Sequence, residues 1–100
     1  MAIIYHITTA KDWSDALGKG FYEHPSLAAE GFIHCSQEQQ VAGVLARFFE
    51  GQTDIVKLSI DTDKLVSKYV FEWSPSTQDT FPHIYGRINT DAVIDAEEIR

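Results

Sequence analysis

The chain has one cysteine, Cys35, among its 100 residues. An internal disulfide is therefore impossible, and a thiolate metal cluster within one chain is excluded. Basic residues are also scarce: 8 Lys and Arg stand against 15 Asp and Glu, for a formal net charge of -7. They are scattered from Lys11 to Arg100 with no basic run. Affinity for a phosphate backbone depends on Lys and Arg neutralising it, so the charge balance argues against a nucleic-acid partner. A single nucleotide held by neutral hydrogen-bond groups is not excluded. No apolar run approaches the length of a membrane span, so no membrane partner is expected. No basic region precedes an apolar one near the start, where Lys11 and Asp12 arrive early, and the expected location is cytoplasmic. Internal repeats, low-complexity tracts and linkers are absent as well, which leaves a single domain over residues 1–100.

What is present is a mixture of strand and helix signals. Ala2 to Thr8 reads as a first strand, rich in isoleucine. Thr9 caps a short helix from Ala10 to Leu17, which Gly18 and Gly20 end. Phe21 to Pro25 reads as an extended or turn segment, and Ser26 as the cap of one helical turn closed by Gly31. A second strand runs from Phe32 to Cys35. Ser36-Gln37-Glu38-Gln39 is a capping box opening the main amphipathic helix, with Val41, Val44, Leu45, Phe48 and Phe49 on one face. That helix start lies next to His34 in sequence, where its free amides suit an anionic or carbonyl-bearing ligand. Asp54 to Ile60 and Tyr69 to Trp73 are further strands, separated by a solvated turn at Asp61–Lys64 and a turn of helix over Leu65–Ser67. Ser74 to Thr80 reads as a loop, His83 to Ile88 as a strand, and Ala92 to Ile99 as the last strand. The pattern predicts an α+β domain.

Within these strands, histidines recur among apolar and aromatic residues, in Ile4-Tyr5-His6-Ile7-Thr8, Gly31-Phe32-Ile33-His34-Cys35-Ser36 and Phe81-Pro82-His83-Ile84-Tyr85-Gly86. Alternation along the second strand puts Ile33 and Cys35 on one face and Phe32, His34 and Ser36 on the other. If the first pair is core, Cys35 is an inert thiol and His34 faces a cleft. Imidazole donates from one nitrogen, accepts at the other and titrates near neutrality, so a cluster of such rings points to a site. Any one of them read singly is an ordinary core histidine. His24, beside Pro25 in a loop, is the weakest candidate. Glu72, between Phe71 and Trp73, is either an outward surface residue or a carboxylate at a cleft edge with a raised pKa. His6, His34 and His83 could supply imidazoles to zinc, but no carboxylate spacing supports it and no metal site is expected.

The same motifs, with Gln40-Val41 between them, resemble the small bacterial family known as domain of unknown function 952, over essentially the whole chain. The resemblance implies an ADP-ribosyltransferase-like fold, a split and mostly antiparallel β-sheet core that holds NAD in a cleft. It implies ADP-ribosyl transfer or NAD glycohydrolysis, with NAD as substrate and no required cofactor. Carried onto this chain, His6 would bind a ribose hydroxyl and Ser36 would help hold the nicotinamide side with His34. Glu72 would be the acid, and His83 and Tyr85 belong to the family's own late motif. The expected catalytic residues are thus Glu72 and His83, and the ligand-binding residues His6, His34, Ser36 and Tyr85. The alternative is a non-catalytic module for a small ligand or partner. The sequence leaves the oligomeric state open.

Overall fold

The computed structural model describes residues 2–100. Strand β1 (Ile3–Thr9) runs straight into helix α1 (Ala10–Lys19). Thr9 makes the junction as expected, its hydroxyl accepting the Asp12 amide proton at 3.1 Å. Gly20, at φ 86°, ends the helix in the left-handed region that glycine enters without steric cost. Strand β2 (Phe21–Tyr22), helix α2 (Pro25–Glu30) and strand β3 (Ile33–His34) follow. A short 3-10 turn (Glu38–Gln40) leads into helix α3 (Val41–Phe48). Strands β4 (Ile55–Asp61), β5 (Tyr69–Ser74), β6 (Asp79–Ile84), β7 (Ile88–Asn89) and β8 (Val93–Glu98) complete the order.

These strands form three antiparallel sheets, ordered β1-β4-β8, β3-β6-β5 and β2-β7, so the domain is α+β with a divided sheet. In the first sheet β4 is central, and its pairs Ile4↔Ile60 and His6↔Leu58 share a face. The core gathers Ile4, Leu58 and Ile60 from this sheet with Ile33, Ile84 and Ile88 from the others. The two larger sheets meet at one bridge: Tyr5 N–H donates to the Ser36 carbonyl at 2.8 Å, and Ser36 N–H to the Tyr5 carbonyl at 2.7 Å. That bridge brings β3 beside β1.

Several local expectations are corrected. Helix α2 starts at Pro25 rather than after Ser26, because His24 Nδ1 accepts the Ser26 amide proton at 3.0 Å and proline suits the first helical position. The capping box falls one residue later than Ser36: Gln37 N–H donates to Gln40 Oε1 at 2.8 Å. Gln40 Nε2 also reaches Asp79 Oδ2 and the Thr80 carbonyl, each at 2.8 Å, so this helix start docks on β6 rather than on His34. The helix after it is amphipathic, yet none of its residues is buried. Leu65–Ser67 forms no helix. The strand expected from His83 begins at Asp79 and includes Pro82, while Ile88 belongs to β7. Pro82 is accommodated because its missing N–H costs one bond at the very end of the two-residue β3 ladder.

Candidate functional site

The site is built on the outward face of the β3-β6-β5 sheet. Ile33 pairs with Ile84 and His34 with His83. Alternation then sends Ile33, Cys35, Pro82 and Ile84 inward, where all are buried, and Phe32, His34, His83 and Tyr85 outward. Burial pushes the Cys35 thiol well up, which makes it the inert core residue that the sequence suggests. On the outward face the Phe32 ring stacks on His83, with centroids 4.1 Å apart and planes 17° from parallel. Tyr85 lies 5.4 Å from Phe32, and His34 meets His83 edge to face at 5.2 Å.

Strand β5 adds the carboxylate. Glu72 pairs with Phe81, one step diagonal to His83, and its Oε1 accepts from His83 Nδ1 at 2.8 Å and from the Tyr85 hydroxyl. The Nδ1 of His83 therefore carries a proton. The Tyr85 hydroxyl, and after it His83, hold Glu72 below the usual carboxylate range. Glu72 in turn raises Tyr85. At neutral pH the carboxylate is charged and the phenol keeps its proton. Of the two alternatives for Glu72, the raised pKa is not met, because the group is only partly shielded from water and receives two donors.

A second pair stands beside the first. His34 Nε2 lies 2.9 Å from Glu30 Oε2, with both side chains about half exposed. Glu30 was not singled out by sequence reasoning. Its i, i+4 spacing to His34 was the available signal, but that spacing is diagnostic only on a helix, and α2 ends at Glu30.

His6 and Ser36 lie behind this face. His6 is 4% exposed and shares the inward row of β1 with Ile4 and Thr8. Its Nδ1 is 2.7 Å from the His34 carbonyl oxygen, its Nε2 is 2.8 Å from the Tyr22 hydroxyl, and that hydroxyl is 3.0 Å from Thr8 Oγ1. A carbonyl only accepts, so Nδ1 carries a proton. Desolvation lowers the ring's pKa from 6.5 to about 4, so at neutral pH Nε2 is bare and must accept the Tyr22 proton. Thr8 then donates to Tyr22, whose own pKa burial pushes up to about 12. With both nitrogens committed inside the protein, His6 acts on the site only by fixing the main chain at His34. Ser36 is buried at the bridge to Tyr5. The structure thus brings together His34, Glu72, His83 and Tyr85, adds Phe32 and Glu30, and keeps His6 and Ser36 apart.

With His6 sealed, the three-imidazole zinc arrangement is not formed, and no metal-ligating group of three or more side chains occurs among the described residues. Two shallow depressions lie elsewhere. One of about 190 Å³ is lined by Asp12, Ala16, Tyr22 and Pro25, and one of about 210 Å³ by Gln40, Arg47, Asp79 and Phe81.

The fold and this face define a small α+β domain that presents histidine–carboxylate pairs beside an aromatic ring. Residues 7–96 match the family described as "Protein of unknown function (DUF952)", and the chain belongs to that family. It is similar to the crystal structure of protein CC0527 from Caulobacter crescentus, with a TM-score of 0.89 and 28% identity over 99% of this chain and 87% of that one. The solution NMR structure of CC0527 is also similar, with a TM-score of 0.83 and 29% identity over 99% and 85% of the two chains. No curated protein matches. No helix among the described residues is long and apolar enough to cross a membrane.

Proposed function

We propose that this chain binds NAD or a related ribosylated small molecule on the face of Phe32, His34, Glu72, His83 and Tyr85. There it cleaves or transfers at the ribose carbon, as an ADP-ribosyltransferase or NAD glycohydrolase does. The observation that carries the reading is Glu72, an ionised carboxylate whose Oε1 is held by two donors while Oε2 keeps its lone pairs. Breaking the bond from ribose to nicotinamide develops positive charge on the sugar, so such a carboxylate stabilises the transition state more than the ground state. Phe32 and Tyr85 offer aromatic surface to a flat ring, and His83 Nε2 can accept from a ribose hydroxyl. His34, oriented by Glu30, does the same from the other side, and His6 holds its backbone. Two antiparallel sheets joined at the Tyr5–Ser36 bridge support reading the core as the split sheet of an ADP-ribosyltransferase-like fold.

Tyr85 is 41% exposed on an open face, and that openness favours a second reading, binding without turnover. Titration calorimetry with NAD and with ADP-ribose tests the first reading: no heat from both at millimolar ligand removes it. A nicotinamide-release assay then separates them. Release that disappears in Glu72→Gln identifies the enzyme, and binding without release identifies the module.

A further inference from the structure

Strand β5 is the outer strand of its sheet, and Pro82 reveals which of its main-chain groups face outward. Pro82 has no N–H, and its carbonyl accepts from Cys35 N–H at 3.0 Å on the β3 side. Main-chain groups alternate sides along a strand, so His83 and Tyr85 turn theirs toward β5, and Tyr85 N–H donates to the Lys68 carbonyl at 2.8 Å. With Val70 opposite His83, the residues Val70, Glu72 and Ser74 bond to β6. Tyr69, Phe71 and Trp73 therefore point their N–H and C=O away from the sheet, and they pair with no other strand among the described residues. Their side chains are exposed too, by 36%, 45% and 61%.

The edges of the β1-β4-β8 sheet are protected. Strand β8 carries exposed Asp95, Glu97 and Glu98, whose charges repel an approaching copy, and β1 is partly closed by Ser36. Strand β5 has no charge or proline at its three outward-bonding positions.

We propose that this edge pairs with β5 of a second copy of the chain, antiparallel about a two-fold axis through Phe71. That register sets Phe71 against the partner's Phe71 and Tyr69 against the partner's Trp73, giving aromatic cross-strand pairs on one face. On the other face Glu72 lies opposite the partner's Val70, and Lys68 lies diagonal to the partner's Glu72. Like charges never stand opposite one another, and the one cation meets the one anion, which selects a second copy as the occupant. The exposed parts of the rings amount to about 300 Å² of apolar surface per copy. A stable dimer buries about 800 Å² per partner, so this one is weak and forms with rising concentration.

Sedimentation velocity from about 5 μM to about 1 mM tests it. The parent chain is expected to move from 11.3 kDa toward twice that mass. Phe71→Pro keeps the β5–β6 ladder, since the lost N–H points outward, but deletes bonds at the axis. Phe71→Lys places two cations face to face across it. Both variants are expected to dimerise at least about tenfold more weakly, with unchanged circular dichroism, while Glu98→Lys on β8 leaves dimerisation unaltered. If Phe71→Pro unfolds, Phe71→Lys decides. A parent that stays at 11.3 kDa throughout, or a Phe71→Lys variant that dimerises as well as the parent, overturns the proposal.

Discussion

His6 and His83 occupy near-matching sequence settings, each on a strand beside isoleucine, and the fold uses them in opposite ways. His6 sits in a row with Ile4 and Thr8 on a strand paired to the buried strand β4, and both its nitrogens are engaged inside the protein. His83 alternates with Pro82 and Ile84, so the buried neighbours send its ring to the opposite face. There its Nδ1 donates to Glu72. The lesson is that a strand histidine is read against the parity of its neighbours and the cover on each face. Motif similarity does not distinguish the two environments.

The strongest way to break this comparison is to remove each ring. His6→Ala should cost about 3 kcal/mol, because it leaves a cavity, removes the acceptor of the Tyr22 proton and orphans the His34 carbonyl. His83→Ala should cost under about 1 kcal/mol, since its carboxylate partner remains in contact with water. Urea unfolding at pH 7 measures both, and equal costs would refute the assignment of one ring to the core and the other to the site.

Acidification gives a nearly equal effect in the parent chain. The folded-state pKa of His6, about 4, lies below its ordinary 6.5, so between these values the unfolded chain binds the extra proton. Stability from this group is complete above pH 6.5 and is lost as pH falls toward 4, by about 3 kcal/mol in all. A urea-midpoint series across that window should show the fall, and His6→Gln should flatten it relative to the parent. A slope unchanged by that substitution would mean that other groups carry it.

The hydroxyl partners sharpen the contrast with smaller effects. Tyr22→Phe leaves the bare His6 nitrogen without a donor and should cost about 1–2 kcal/mol. Tyr85→Phe should leave the thermal midpoint in place, and instead let the pKa of Glu72 rise toward its usual value, because the Tyr85 hydroxyl is the largest cause of its depression. Carboxyl NMR titration of Glu72 reads that shift directly, and an unmoved titration would place its cause elsewhere.

Local signals carried much of the fold. Thr9 caps its helix and Gly20 ends it for reasons contained in a few adjacent residues. The alternation of Ile33, His34 and Cys35 correctly separates core from face before any sheet is known. Errors arose where a competing partner lay far along the chain. Gln40 turns toward Asp79 and Thr80, and the capping box shifts with it. The strand expected from His83 begins at Asp79, and Pro82 fits within it because it stands at the end of the β3 ladder.

The site divides in the same way. Sequence alone determined the residue types, a set of histidines, an acid and a tyrosine on strands, together with the parity that puts His34 on the face opposite Ile33 and Cys35. The β-strand period of two is a local property of the backbone, so those directions follow without tertiary information. Only the tertiary structure decided that Glu72 meets His83 and Tyr85, that Glu30 joins His34, and that His6 is sealed beneath the His34 carbonyl. Those contacts depend on strand register and on which sheet covers which face, and the burial of the whole chain sets both at once.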